Sequence, residues 1–174
     1  MTTTRTPDRT EAADYYFTYI DLVEGDDILG ILAAQLPQTL ALLKGISDDQ
    51  SHYRYAPDKW SIREVVSHIN DTERLFVSRA FWFARGLGEP LPSFDQNVAA
   101  SHAGAEARLL VSHTEEFGAI RAGTLSLFQN LPPEAWSRRG TASGKPFTVR
   151  ALAFITAGHV AHHVKILRER YLAR

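Results

Sequence analysis

The polar run that opens the chain ends abruptly at Tyr15, Tyr16, Phe17, Tyr19 and Ile20, which marks where packing should begin. After Glu24 and Gly25, residues Ile28, Leu29, Leu32, Leu36, Leu40 and Leu43 recur mainly at threes and fours. That spacing predicts a first long helix with one apolar face, with Pro37 as the point where it can kink. Gly45 and the polar stretch from Ser47 to Ser51 break the pattern. Ser61-Ile62-Arg63-Glu64 then forms a capping-box pattern, in which the serine hydroxyl and the glutamate carboxylate satisfy free amides at a helix start. The second helix is therefore expected from Ser61 to about Arg85, with Ile62, Val65, Val66, Ile69, Leu75 or Phe76, Arg79 and Phe83 facing inward. His68 lies among these positions, and Gly86, Gly88, Pro90 and Pro92 stop the helix.

Residues 88–97 read as a long loop punctuated by prolines. A third helix is expected from His102 or Ala105 to Asn130, with Leu109, Leu110, His113, Phe117, Ile120, Thr124, Leu127, Phe128 and Leu131 on its inner face. Pro132 to Trp136 predicts a short helical turn, and residues 138–147 an irregular loop or small hairpin. Thr148 is the expected cap of the last helix, which carries Leu152, Ile155, His159, His162 or His163, Ile166 and Arg170. No repeat and no second boundary interrupts this series. The expected architecture is all-α: a four-helix bundle with long connecting loops, in a single domain spanning 15–174 behind a loose tail of residues 1–14. The second and fourth helices should meet face to face.

Composition narrows the chemistry. Among 174 residues, 19 Lys and Arg stand against 20 Asp and Glu, so no global positive field is available to hold a nucleic acid backbone. Cysteine is absent, which removes disulfides, thiolate metal ligands and a cysteine nucleophile, and leaves any thiol chemistry to an external thiol. The first 14 residues contain no apolar core of a secretory signal, and no stretch reaches the roughly 18 apolar residues of a membrane span. A cytoplasmic location with no membrane partner is the expectation.

His159-Val160-Ala161-His162-His163 departs from a routine core helix. On a helix, His159 can present its imidazole to the same point as His163 or as His162, on the face that carries Leu152, Ile155 and Ile166. Buried imidazoles cannot all be charged, and a bound cation relieves both their mutual repulsion and their unmet hydrogen-bonding capacity. His68 adds a third nitrogen if the two helices meet, leaving open positions for water or substrate. The alternative is a set of hydrogen-bonded core histidines. A metalloprotease HExxH site is disfavoured because Val160 stands where the glutamate would be. His52 and His102 sit in loop-like or helix-start contexts, and His113 reads as core or a groove wall.

Other polar residues carry two readings each. Asp71 or Thr72 can orient His68 from one turn away, or Asp71 can pair with Arg74. Asp95 can reach over the bundle end as an acid–base group, or form the turn in its loop. Trp60, Trp82 and Trp136 read as core or pocket wall. Arg150, Arg168 and Arg170 can bind a carboxylate, although the last two also complement a helix C-terminus.

Taken together, the segment from Tyr55 through Trp60-Ser61-Ile62-Arg63-Glu64 to His68, with Asp71-Thr72-Glu73-Arg74 and Arg79-Ala80, resembles the second-helix signature of DinB-like proteins. The segment Gly158 to His163, followed by Arg168 to Leu172, resembles that family's final helix, and residues 90–96 and 139–144 are similar to it as well. The resemblance implies a four-helix bundle with up-down-down-up connection, often homodimeric, and a divalent metal held by His68, His159 and His163. His162 is then left as a neighbour, substitute ligand or wall residue, and with Asp71 and Asp95 makes up the candidate catalytic set. Zinc and nickel are the first expectations for the metal, with iron, manganese or copper also compatible. The family includes transferases and isomerases that use a low-molecular-weight thiol, so the resemblance implies a small-molecule substrate and a thiol S-transferase. The alternatives are a metal-dependent hydrolase of a small ester or amide, or a non-catalytic metal-binding or interaction module.

Overall fold

The computed structural model of the protein describes residues 5–173. The short helix α1 (Phe17–Ile20) is followed by α2 (Ile28–Lys44), α3 (Ile62–Ala84), α4 (Gln96–His102) and α5 (Leu110–Gln129). The hairpin of β1 (Arg139–Ala142) and β2 (Lys145–Thr148) then leads directly into α6 (Val149–Ile166). The long helices α2, α3, α5 and α6 make the four-helix bundle that the periodicity predicts. Each of α2 and α3 packs against both α5 and α6, so these two consecutive helices lie across the bundle from one another.

Local chemistry sets the helix starts. Ser61 Oγ accepts from the Glu64 amide at 3.2 Å, and Glu64 Oε2 accepts from the Ser61 amide at 2.8 Å, which completes the expected capping box at the head of α3. Thr148 caps α6 by accepting from the Ala151 amide at 3.0 Å. Pro37 sits within α2 without ending it. The third long helix starts later than expected, at Leu110. Residues 96–102 form the separate helix α4, Gly104 breaks the path with φ of 60°, and a single helical turn at Ala105–Ala107 intervenes. Leu109, expected on the inner face, lies outside the helix and is exposed.

The packed structure also begins before Tyr15. Ala12 pairs with Phe147 of β2, and the buried carboxylate of Glu11 accepts from Thr148 Oγ1 at 2.8 Å and from Arg150 Nε at 3.0 Å. Burial raises the pKa of Glu11, but hydrogen bonds from Arg150, Thr148 and the Asp8 amide outweigh it and hold the group below its usual range. Of the tail expected over residues 1–14, the stretch from 8 to 12 is thus tied to the hairpin, while residues 1–4 lie outside the described residues.

The apolar interior falls into two clusters. One contains Phe76, Phe83, Phe128, Phe147, Leu152, Phe154 and Ile155; the other contains Leu43, Ile62, Val65, Val66, Ile69, Phe117, Val160 and Leu167. Between them runs one polar network that touches all four long helices. Arg121 of α5, fully buried, donates from Nε and Nη2 to Glu73 of α3 at 2.7 and 2.8 Å. Its Nη1 donates to the Leu32 carbonyl and Gln35 Oε1 of α2, and Gln35 Nε2 donates in turn to the Ala157 carbonyl of α6 at 2.9 Å. Thr124 Oγ1 donates to Glu73 at 2.8 Å.

Removing one partner of a buried bidentate pair leaves the other charge uncompensated. Glu73→Ala is therefore expected to lower unfolding free energy by about 3–5 kcal/mol, read as a shift in the urea midpoint.

Candidate metal centre and its cavity

The capping box fixes the phase of α3, and His68 lies two turns along it on the face that meets α6. His159 and His163 stand one turn apart on α6 and point back at it. His68 Nε2 and His163 Nε2 each lie 3.1 Å from His159 Nε2, and one nitrogen from each ring falls within 4.8 Å of the others. His68 and His159 are buried and His163 is half-buried. The cluster occupies the seam between the two apolar clusters, with Ile69 and Val160 on one side and Phe76 and Ala157 on the other.

Neighbouring side chains orient each ring. Thr72 Oγ1 lies 3.3 Å from His68 Nδ1, and the Trp60 ring lies 4.8 Å from the His68 ring between centroids. The Tyr171 hydroxyl donates to the Trp60 carbonyl at 2.7 Å and holds that wall in place. Tyr19 sets its ring edge-on to both His159 and His162, at 5.3 and 5.5 Å. Gly158 permits this approach: a Cβ at that position would overlap the backbone carbonyl of Tyr19, so only glycine lets α1 lie directly on α6.

Electrostatics keep the three rings neutral. Burial, followed by the charge of His162, lowers the pKa of His68 to about 4. Burial and then the charges of His68 and His162 lower His163 to about 3, and His159 is pushed well below its ordinary value by burial and by the other three histidines. A neutral imidazole carries one N–H. Each ring therefore keeps one nitrogen as an acceptor, and the three facing nitrogens converge with few protons to share among them. Tetrahedral zinc–nitrogen bonds of about 2.0–2.1 Å place ligand nitrogens about 3.3–3.4 Å apart, slightly wider than the 3.1 Å from His159 to each of the other two. The donor set fits a divalent cation of borderline softness.

A cavity of about 230 Å³ opens beside His68 and His159, lined by Tyr15, Tyr16, Tyr19, Thr72, Phe76, Arg79, Phe94, Gln96 and Ser143 among others. Among the described residues no carboxylate lines it. A larger cavity of about 470 Å³ between α2 and α5, walled by Leu40, Leu43, Leu110 and Val111, contains no histidine and lies apart from the cluster.

The other sequence candidates have different partners. Asp71 pairs with Arg74 at 3.5 Å, with burial raising its carboxyl pKa, and Thr72 is the residue that meets His68. Asp95 Oδ1 caps α4, accepting from the amides of Asn97 and Val98 at 2.9 and 3.1 Å. His162 is half-buried against Tyr19 and His163 and stands outside the converging trio. His52 bonds Glu106, His102 bonds the Val98 carbonyl, and His113 bonds the Ala105 carbonyl. Arg150 binds a carboxylate of its own chain, Glu11, while Arg168 and Arg170 are exposed. Trp136 stacks on Phe128, and Trp82 donates to the Glu89 carbonyl. Sequence reasoning did not single out Tyr19, Ser143 or Arg79 as site residues. For Arg79 a signal existed: a charged residue recurring on the apolar stripe of α3.

The sequence profile of the DinB superfamily matches residues 31–167. The chain belongs to the DinB superfamily. No functionally curated protein matches it in sequence. Among solved structures, this DinB chain is similar to YfiT from Bacillus subtilis, described as "a probable metal-dependent hydrolase with an unusual four-helix bundle topology". The TM-score is 0.63 over 93% of this chain and 91% of that one at 15% identity, which is a likeness of fold. Among the described residues, no helix of this DinB bundle is long and apolar enough to cross a membrane.

The geometry generates two predictions. Thr72→Val removes the hydroxyl that meets His68 Nδ1 and is expected to weaken zinc affinity about 10–100-fold, measured by chelator competition. In metal-free protein, His68 binds protons less readily folded than unfolded, so stability is full above about pH 6.5 and falls as pH drops toward 4. The His68 contribution is on the order of 3 kcal/mol, and urea midpoints against pH for wild type and His68→Phe measure it.

Proposed function

We propose that this DinB protein is a metal-dependent enzyme acting on a small molecule in the cavity beside His68 and His159, with His68, His159 and His163 as the metal ligands. The observation that carries the reading is the convergence of three neutral imidazole nitrogens within 4.8 Å of one another, with His68 and His159 on the wall of an open cavity. A hydrogen-bonded core trio explains the burial and the facing nitrogens, but not why His68 and His159 open onto a cavity. Zinc or nickel suits the donors, with iron, manganese and copper as further candidates.

A divalent cation bound there supplies Lewis acidity, which lowers the pKa of a water or thiol that meets it. The chain supplies the rest. Thr72 meets His68 Nδ1 and so orients Nε2 toward His159, while Trp60, Tyr19 and Phe76 pack around the imidazoles. Burial and the neighbouring Tyr15 raise the pKa of Tyr19 well above its ordinary value, so its hydroxyl stays protonated and can donate to a developing oxyanion.

Two nucleophiles fit this arrangement. Hydrolysis of a small ester or amide is the first reading, supported by the fold shared with YfiT, which is described as a probable metal-dependent hydrolase. Thiol S-transfer is the second, and the absence of a lining carboxylate favours it. No acidic side chain stands ready to take a proton from water, whereas a thiol gives up its proton near pH 8.5 unaided. With no cysteine in the chain, the thiol comes from outside.

Elemental analysis is expected to find close to one divalent metal per chain in wild type, and none in His68→Ala or His163→Ala that remain folded by circular dichroism. Metal-loaded protein assayed on activated esters with and without a low-molecular-weight thiol then separates the readings. Turnover without thiol supports hydrolysis, and turnover that requires thiol supports transfer. A chain that binds no zinc or nickel overturns both.

A further inference from the structure

Four arginines are buried among the described residues: Arg63, Arg79, Arg121 and Arg150. Three of them have a carboxylate. Arg63 pairs with Asp48, Arg121 with Glu73, and Arg150 with Glu11. Arg79 is only 2% exposed, yet no described carboxylate lies within ion-pair distance of it. Its Nη2 donates to the Pro92 carbonyl at 3.0 Å and to Ser143 Oγ at 2.9 Å, both uncharged, and its buried Nε has no partner. A guanidinium stays charged at any ordinary pH, and burying it without an anion is costly.

Its place in the fold gives this cost a use. Arg79 follows His68 by eleven residues, about three helical turns, so the two share one face of α3 with Thr72 and Phe76. Side chains on a helix lean toward its N-terminus, which turns Arg79 back toward His68. Both line the same cavity.

Ser143 points the same way. It sits in the hairpin turn with φ of 52°, a left-handed conformation that is strained for serine, and is followed by Gly144 at 67°. Asparagine or glycine suits that position better, but neither would bring a hydroxyl to Arg79 and the cavity wall. Backbone strain of this kind persists where surrounding structure enforces it, commonly at binding sites. The loop after α3 completes the arrangement: Leu91 bonds β1 and the turn through Thr141 and Ser143, which sets the Pro92 carbonyl against Arg79.

We propose that this cavity binds a substrate bearing a small oxyanion, a carboxylate or a phosphate, with Arg79 as its counter-charge and Ser143 as a positioning residue. The assignment of the site as a reaction centre rests on the function proposed above, but the anion subsite is testable without it. The cavity holds a small molecule with its charged end at Arg79 and its reactive end at the histidines. Charge-assisted hydrogen bonds from an arginine with no competing carboxylate select an anion over its neutral ester or amide.

Calorimetric titration of chelator-treated and zinc-loaded protein with propionate, succinate and inorganic phosphate tests the proposal. Saturable one-to-one binding of at least one probe is expected in both forms, and the preferred probe distinguishes carboxylate from phosphate. Arg79→Met is expected to weaken that binding about 10–100-fold, and Arg79→Lys to weaken it less. No saturable binding by wild type, or unchanged affinity in folded Arg79→Met, overturns the proposal. Should Arg79→Met fail to fold, Arg79→Lys and Ser143→Ala decide: weaker binding in either supports it, and unchanged affinity in both overturns it. Wild type that binds no zinc but keeps the anion overturns the metal reading alone, and wild type that binds zinc but no anion overturns the anion subsite alone, so the two failures are distinguishable.

Discussion

The bundle is organised around a carboxylate and a guanidinium that meet where all four long helices come together. Glu73 and Arg121 satisfy each other bidentately, and the remaining donors of Arg121 reach the Leu32 carbonyl and Gln35, which reaches Ala157. Apolar packing alone tolerates sliding of one helix past another, because hydrophobic contact is non-directional. A buried hydrogen-bonded pair does not, since any shift leaves a charge unpaired in low dielectric. The network ends two residues from His159 and starts five residues from His68, so the contact that sets helix register also sets the spacing of the imidazoles.

That register has a consequence for protonation. Three imidazoles whose nitrogens lie within 4.8 Å of one another in an apolar seam cannot hold three charges, and burial drives each of them to its neutral form. Neutral nitrogens with converging lone pairs are what a divalent cation requires. The fold thus brings the donors together without an acidic side chain among them.

The cavity beside the cluster shows the opposite electrostatic character. Its histidines are neutral, it has no carboxylate on its wall, and it contains one buried guanidinium without an anion. A site of this kind favours ligands that carry negative charge. Its walls come from distant parts of the chain: the aromatic segment around Tyr15 to Tyr19, the middle of α3, the loop at Phe94, the hairpin turn at Ser143 and α6.

Periodicity and capping signals made the four long helices legible, because those patterns are local: the Ser61–Glu64 box and the Thr148 cap act within one turn. The spacing of His159 and His163 was legible for the same reason, as was the inward position of His68. The late start of α5 was not, because it depends on Gly104 adopting a left-handed conformation and on Asp95 capping a separate helix. Nor was the docking of Glu11 onto Arg150, a contact across 139 residues that no local pattern announces. By itself the sequence determined most of the inward stripe of each long helix and placed His68 and His159 within it, since side-chain direction follows from helical pitch. Only the tertiary structure decided that His163 and not His162 joins the trio, that Thr72 and not Asp71 meets His68, and that Arg79 lacks a carboxylate. Those outcomes depend on how α3 and α6 are rotated against each other and on which distant loop closes over them, and long-range packing alone sets both.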